Sequence, residues 1–126
     1  SGVCEISLSI NPGKSREVTL ELFNNGNEKV TMVYDTSART FSFDRRESGL
    51  TDFSKDFPAV TVAPTFNNGE TITLDIFVDT SSIEVFGNNG EFAMTNLVFP
   101  RNPYTTLSVK SDANARISGL NIHAIK

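Results

Sequence analysis

A chain of 126 residues has room for about one ordinary domain, and folding at this size removes roughly two thirds of the unfolded surface from water. With 38% apolar residues, ten Phe and no apolar run near the roughly 20 residues that cross a bilayer, the composition is that of a globular chain and makes a membrane partner unexpected. The net charge is −4 and the Lys and Arg residues are scattered, Arg45-Arg46 being their densest group, so no basic face is available for a phosphate backbone and nucleic acid is excluded.

From the start of the chain, apolar residues fall on alternate positions. Cys4, Ile6, Leu8 and Ile10 form the first set, followed by Val18, Leu20 and Leu22, and then by Val30, Met32 and Tyr34. A period of two places each set on one face of a strand. Further strands are predicted over 40–44 and 60–63, then over 72–78, where Ile72, Leu74, Ile76 and Val78 alternate, and over 83–87, 92–98, 105–110 and 116–125. Turn clusters separate them: Asn11-Pro12-Gly13-Lys14, Asn24-Asn25-Gly26-Asn27, Asn67-Asn68-Gly69 and Asn88-Asn89-Gly90. Asn and Gly supply there the positive φ that tight hairpins require. No stretch shows a helical apolar stripe, so the expectation is all-β, about ten antiparallel strands in two packed sheets, with no substantial helix. The aperiodic stretch 45–57, with Phe53 and Phe57, is expected to be a long surface loop. One sandwich domain is expected to fill residues 1–126, and the small polar Ser1-Gly2 start without a signal peptide reads as the beginning of a fragment.

Chemistry-bearing groups are few. Cys4 is the single cysteine, which rules out an internal disulfide, and one Cys with one His cannot supply a zinc shell. Asp52 and Asp56 share the long loop, where two acids four apart more commonly make a solvated loop than a calcium site, so neither metal nor cofactor is expected. His123 lies on a strand far in sequence from Ser81 and Ser82, and no Gly-x-Ser-x-Gly elbow occurs, which argues against a serine nucleophile. Asp79 and Glu84 could be read as a glycosidase-type pair. The alternative is structural: Asp79 accepts backbone N–H groups in the turn Thr80-Ser81-Ser82, and Glu84 either points to solvent or is held by hydrogen bonds or by Arg45 or Arg46. Without Trp, aromatic platforms for a sugar are limited to Phe side chains and to Tyr34 and Tyr104, with Tyr34 read as core. Phe77 is expected to point inward, whereas Phe86 has the parity opposite to Ile83 and Val85, so only one of those two sets need face the main core.

Residues 74–100, LDIFVDTSSIEVFGNNGEFAMTNLVFP, resemble the C-terminal β-sandwich module of glycoside hydrolase family 32, the levanases, inulinases, invertases and related β-fructosidases. Upstream, YDTSARTFSFDRRESG at 34–49 is similar to that family's preceding hairpin and its Asp-Arg-x-x-Ser-Gly loop, and ARISGLNIHAIK is similar to its last strand. Thr80 departs from the Arg common in the family, so any ion pair that Arg forms is missing. The resemblance implies a catalytic β-propeller on the N-terminal side of the same polypeptide, with an Asn-Asp-Pro-Asn-Gly box, an Arg-Asp-Pro box and a Glu-Cys pair. This chain contains none of them: Cys4-Glu5 has the reverse order, and Arg101-Asn102-Pro103 lacks the acid. No catalytic residue carries over. The resemblance therefore implies a non-catalytic accessory module packed on the propeller, with Asp79, Ser81, Ser82, Glu84, Phe86, Arg45 and Arg46 as its structural motif. Phe53, Phe57 and Tyr104 are candidate contacts with the propeller or a sugar. The alternatives are a module that binds fructan oligosaccharide and, less in keeping with the residues, an independent hydrolase. An extracellular or periplasmic parent enzyme is implied, with the cytoplasm as the alternative.

Overall fold

The structure, a computed structural model, describes residues 3–51, 59–65 and 71–124. Among them are ten strands: β1 (Cys4–Asn11), β2 (Glu17–Phe23), β3 (Lys29–Asp35), β4 (Thr40–Asp44), β5 (Val60–Pro64), β6 (Ile72–Val78), β7 (Ser82–Gly87), β8 (Phe92–Leu97), β9 (Thr106–Ser111) and β10 (Arg116–Ala124). They form two five-stranded sheets, β10-β1-β6-β7-β8 and β5-β4-β3-β2-β9, antiparallel throughout. The chain opens in the first sheet, runs β2 to β5 as a meander in the second, returns for the meander β6 to β8, and then places β9 and β10 at the far edge of each sheet. The expected architecture and strand positions are therefore found, with strand ends differing by a residue or so.

The alternation seen in the sequence becomes the core. Ile6, Leu8, Ile10, Val18, Leu20, Leu22, Val30, Met32, Tyr34, Phe41, Phe43 and the set Ile72, Leu74, Ile76, Val78 are buried between the sheets. From β7 the buried pair is Ile83 and Val85. Its alternate residues Glu84 and Phe86 therefore lie on the outer face of the first sheet. The same parity corrects the inward placement of Phe77. On β6 the even positions fill the core, so Phe77 is half-buried on the outer face and meets Phe86 edge to face, with ring centroids 5.8 Å apart. Tyr34 is a core residue, as its position in the alternation requires.

The Asn and Gly turns close as their φ preferences dictate. Asn88 and Asn89 take φ of 51° and 58°, the left-handed pair at the centre of a turn closed by the Gly90 N–H on Gly87 O, within the connection 88–91 that joins Gly87 to its partner Phe92. Gly87, at the end of β7, is a case of space: a Cβ there would fall 2.0 Å from the Phe92 ring, which occupies the place of a side chain in the core. The turn at 67–69 and the loop residues Asp52, Phe53, Asp56 and Phe57 lie outside the described residues.

Candidate functional site

Register fixes which loops share an end of the sandwich. Cys4 pairs with Val78 and Ala124, Val78 with Ile83, and Ile83 with Asn96, so the start of β1 lies level with the β6–β7 turn and the exit of β8. In the second sheet the β2–β3 turn, the entry to β9 and the segment after β4 reach the same pole, because hydrogen bonds join them to residues 97–104. The motif residues Asp79, Ser81, Ser82, Arg45 and Arg46, together with Tyr104, gather here.

The turn after β6 is held by its backbone and one carboxylate. The Asp79 N–H donates to Ser82 O at 2.8 Å, the Val98 N–H to Ser81 O at 3.0 Å, and the Thr80 N–H to Asp79 Oδ1 at 2.7 Å. An aspartate closing its own turn in this way is the structural alternative raised by the sequence. Glu84 lies on the outer face, paired across the strands with Phe77. Arg46 is bound to Asp44, with Nη2 2.7 Å from Oδ2, and the Arg45 guanidinium donates to Leu97 O at 3.3 Å. Sequence proximity explains the choice, since Asp44 is two residues from Arg46 and already accepts its backbone N–H. That pairing holds the Asp44 carboxyl below its usual range, chiefly through the Arg46 hydrogen bond.

The Arg-x-x-Ser-Gly loop is a clasp on the strand exit opposite it. Ser48 donates its hydroxyl to Arg45 O at 2.6 Å, Tyr104 donates its hydroxyl to Ser48 O, and the Leu50 N–H donates to Phe99 O at 2.9 Å. Gly49, with φ of 152°, is pressed so closely on the neighbouring segment that a Cβ would lie 2.3 Å from Phe99 O. Tyr104 is buried, and burial together with the Glu28 charge pushes its phenol well above the ordinary range. The residue is only 7% exposed, and its hydroxyl is engaged by Ser48 O.

Sequence reasoning missed the most developed polar cluster of this pole. Glu28 is buried, and its carboxylate accepts from Asn24 Nδ2 at 2.9 Å, the Arg101 N–H at 2.7 Å and Arg101 Nη1 at 2.6 Å. Asn24 is buried as well: its Oδ1 accepts the Gly26 and Glu28 N–H groups, and its Nδ2 also donates to Asn102 O. Burial alone would raise the Glu28 carboxyl, but the hydrogen bonds from Asn24 and Arg101 and the Arg101 charge outweigh it and lower it. The usable signal was an Asn opening a turn four residues before an acid at a strand entry; nothing in the sequence pointed to Arg101, 73 residues further on.

Beside this cluster, Val78, Asp79, Thr80 and Pro100 to Tyr104 line a cleft of about 180 Å³, below the roughly 300 Å³ at which small-molecule sites begin. Thr80 contributes no cation here; the guanidinium of this cleft belongs to Arg101 and is already engaged by Glu28. Among the described residues no group of three His, Cys, Asp or Glu side chains is placed to hold a metal ion, and no helix is long and apolar enough to cross a membrane.

Comparison with known proteins gives the same picture at the level of the whole chain. The family described as glycosyl hydrolases family 32 C terminal matches residues 1–124. A levanase of Bacillus sp. (strain L7) is 32% identical over 130 aligned positions, covering 100% of this chain and 14% of the relative. An extracellular exo-inulinase of Aspergillus awamori is 36% identical over 84 positions, covering 66% of this chain and 16% of the relative. The crystal structure of exo-inulinase from Aspergillus awamori superposes with a TM-score of 0.84 at 27% identity, covering all of this chain and 25% of that one. The chain thus spans a quarter or less of the length of each of these proteins.

Proposed function

This chain belongs to the family 32 glycosyl hydrolase C-terminal family, and from that premise we propose that it is a non-catalytic accessory module that packs against the N-terminal catalytic domain of a fructan-degrading enzyme of levanase or exo-inulinase type. The observation that carries the reading is one of proportion: a complete match to a C-terminal family combined with coverage of only 14% to 25% of the longer relatives. The geometry supports it. Any polypeptide that precedes residue 1 arrives at Cys4, at the pole where the clasped loops 45–50, 79–81 and 98–104 form a surface with few adjustable parts. Leu50 and Leu97 are exposed on that surface and offer it apolar contact area. The extracellular exo-inulinases among its relatives support a parent enzyme that works outside the cytoplasm, where polymeric fructan is met. Incubating this chain and the complete polypeptide separately with levan and with inulin tests the proposal. Fructose is expected from the complete polypeptide alone, and its release by this chain would overturn the reading.

One observation favours a second role. On the outer face of the first sheet Phe77 stands opposite Glu84, and Phe86 opposite Asp75, so that two rings alternate with two carboxylates. Rings for stacking and carboxylates for hydroxyl groups are the chemistry by which a flat sheet face holds a sugar. Titration of this chain with fructo-oligosaccharides decides between the two: heat at millimolar ligand that disappears in Phe86→Ala supports binding, and no heat removes it.

A further inference from the structure

The two long sides of the sandwich are finished differently. At one side β5 and β8 close the space between the sheets, with Thr61 Oγ1 3.3 Å from Asn96 Oδ1 and within reach of Met94 sulfur. At the other side lie β9 and β10. Leu107 and Val109 of β9 face inward by register with Leu22 and Leu20 but are only half-buried. On β10, Ile122 pairs with the core residue Ile6, and Leu120 shares its side of the strand, so both project from the inner face of the first sheet. Yet they are 55% and 51% exposed. Inner-face aliphatic side chains this open to water are what an unfinished sandwich edge looks like.

β10 is also a nine-residue edge strand, the longest among the described residues, bonded to β1 on one side only. Natural sheets blunt such edges with charge, proline or bulges. Here a bulge occurs, where Gly119 at φ of 62° interrupts the register between Ser7 and Ser9, but beyond it Asn121 to Ala124 run in unbroken register with Ser7 to Cys4. That half of the strand has regular backbone, apolar side chains on its inner face and, among the described residues, an unpaired edge.

We propose that, in the complete polypeptide, an extended segment of the preceding domain adds to the free edge of β10 between Leu120 and Ala124 and covers Leu120 and Ile122. This rests on the accessory reading above and goes beyond it by naming the edge that is covered and the mode of contact. Two facts select this occupant over a second copy of the chain. Relatives carry at least three quarters of their length outside the matched region, and Ala124 pairs with Cys4, so a segment arriving at the start of β1 passes alongside the open end of β10. Strand addition of this kind takes its affinity from main-chain hydrogen bonds and its specificity from alternate side chains.

Hydrogen–deuterium exchange of the complete polypeptide, compared with this chain, tests the proposal. Alternate amides of residues 120–124, those not bonded to β1, should exchange about tenfold or more slowly in the complete polypeptide. Ile122→Lys in the complete polypeptide should abolish that protection while leaving the slowed exchange at 98–104, and Asn121→Lys, on the outer face, should leave both. Equal exchange at 120–124 with protection at 45–50 and 98–104 overturns the strand addition and leaves the accessory module standing. Protection at neither segment overturns both. Protection in this chain alone that grows with its concentration identifies a second copy as the occupant and overturns the proposal.

Discussion

Replacing Glu28 by Gln keeps the shape of the side chain and removes its charge, which isolates what the carboxylate does. Its side chain is 8% exposed and accepts three hydrogen bonds, two of them from Arg101. Gln can still accept from Asn24 and from the Arg101 N–H, but it turns an NH₂ group toward a guanidinium that also only donates. A charge-assisted hydrogen bond contributes about 1.5 to 3 kcal/mol. The Arg101 side chain is 65% exposed and can turn to water when its partner is lost, so the lower half of that range applies, about 2 kcal/mol. For a domain of this size that is roughly 6 to 10 °C in Tm. The pH dependence follows from the lowered carboxyl of Glu28. Because its folded pKa lies below the unfolded value of about 4.3, its contribution is fully present above that pH and is lost as the pH falls through the folded pKa. Urea denaturation followed by circular dichroism from pH 7 down to pH 3 should therefore show a gap between parent and Glu28→Gln that is widest at pH 7 and closes in acid. Other lowered carboxyls such as Asp44 are present in both proteins and cancel in the difference. A gap of constant size across the range, or none at pH 7, would refute the role given to the Glu28–Arg101 pair.

Gly49→Ala places a methyl 2.3 Å from Phe99 O and 2.7 Å from Pro100 Cα, so the loop must lift off the strand exit; a loss on the order of 2 to 4 kcal/mol is expected in thermal melts, and an unchanged midpoint would show that the loop is not clasped as described. Phe41→Ala empties a fully buried site whose ring lies 5.4 Å from that of Phe92 and should cost about 3 to 5 kcal/mol. By contrast, Phe77→Ala on the outer face should cost about 1 to 2 kcal/mol, mostly the contact with Phe86; equal losses for the two variants would return Phe77 to the core. Asp79→Asn and Glu84→Gln in the complete polypeptide should leave fructose release from levan within about twofold of the parent, and a loss beyond a hundredfold in either would assign that carboxylate to the chemistry.

The architecture could be read from the sequence because the alternation is strict. Fourteen positions would not fall into sets such as Ile72, Leu74, Ile76, Val78 unless one face were buried, and the four Asn and Gly clusters mark connections between strands. Phe77 departs from the expected inward placement because parity decides it: its neighbours Ile76 and Val78 claim the inner face. Glu28 and Arg101 were invisible for a different reason. Their contact closes across 73 residues, between the β2–β3 turn and the loop after β8, and only the packing of the two sheets brings those segments to one pole. Arg46 shows the converse, since a partner two residues away could have been read from Asp44-x-Arg46 without any knowledge of the fold.

Polar residues at this pole, most of them outside the motif, are the means by which loops from two sheets become one surface. Sheets in a sandwich are held together by apolar side chains, which fix their separation but say little about how the connecting loops lie at the ends. At this pole each loop is tied to another by a directional bond: 45–50 to 97–99 through Arg45 and Leu50, 48 to 104 through Tyr104, and 24–28 to 101–102 through Asn24 and Glu28. Because several of these ties are buried, loosening one leaves its partner unsatisfied, which makes the set cooperative. A surface built this way keeps its shape before any partner arrives, so a neighbouring domain can dock on it without first ordering it. That requirement explains why a chain with few candidate reactive groups nonetheless places buried charge and a buried tyrosine hydroxyl at the end where a preceding domain would join.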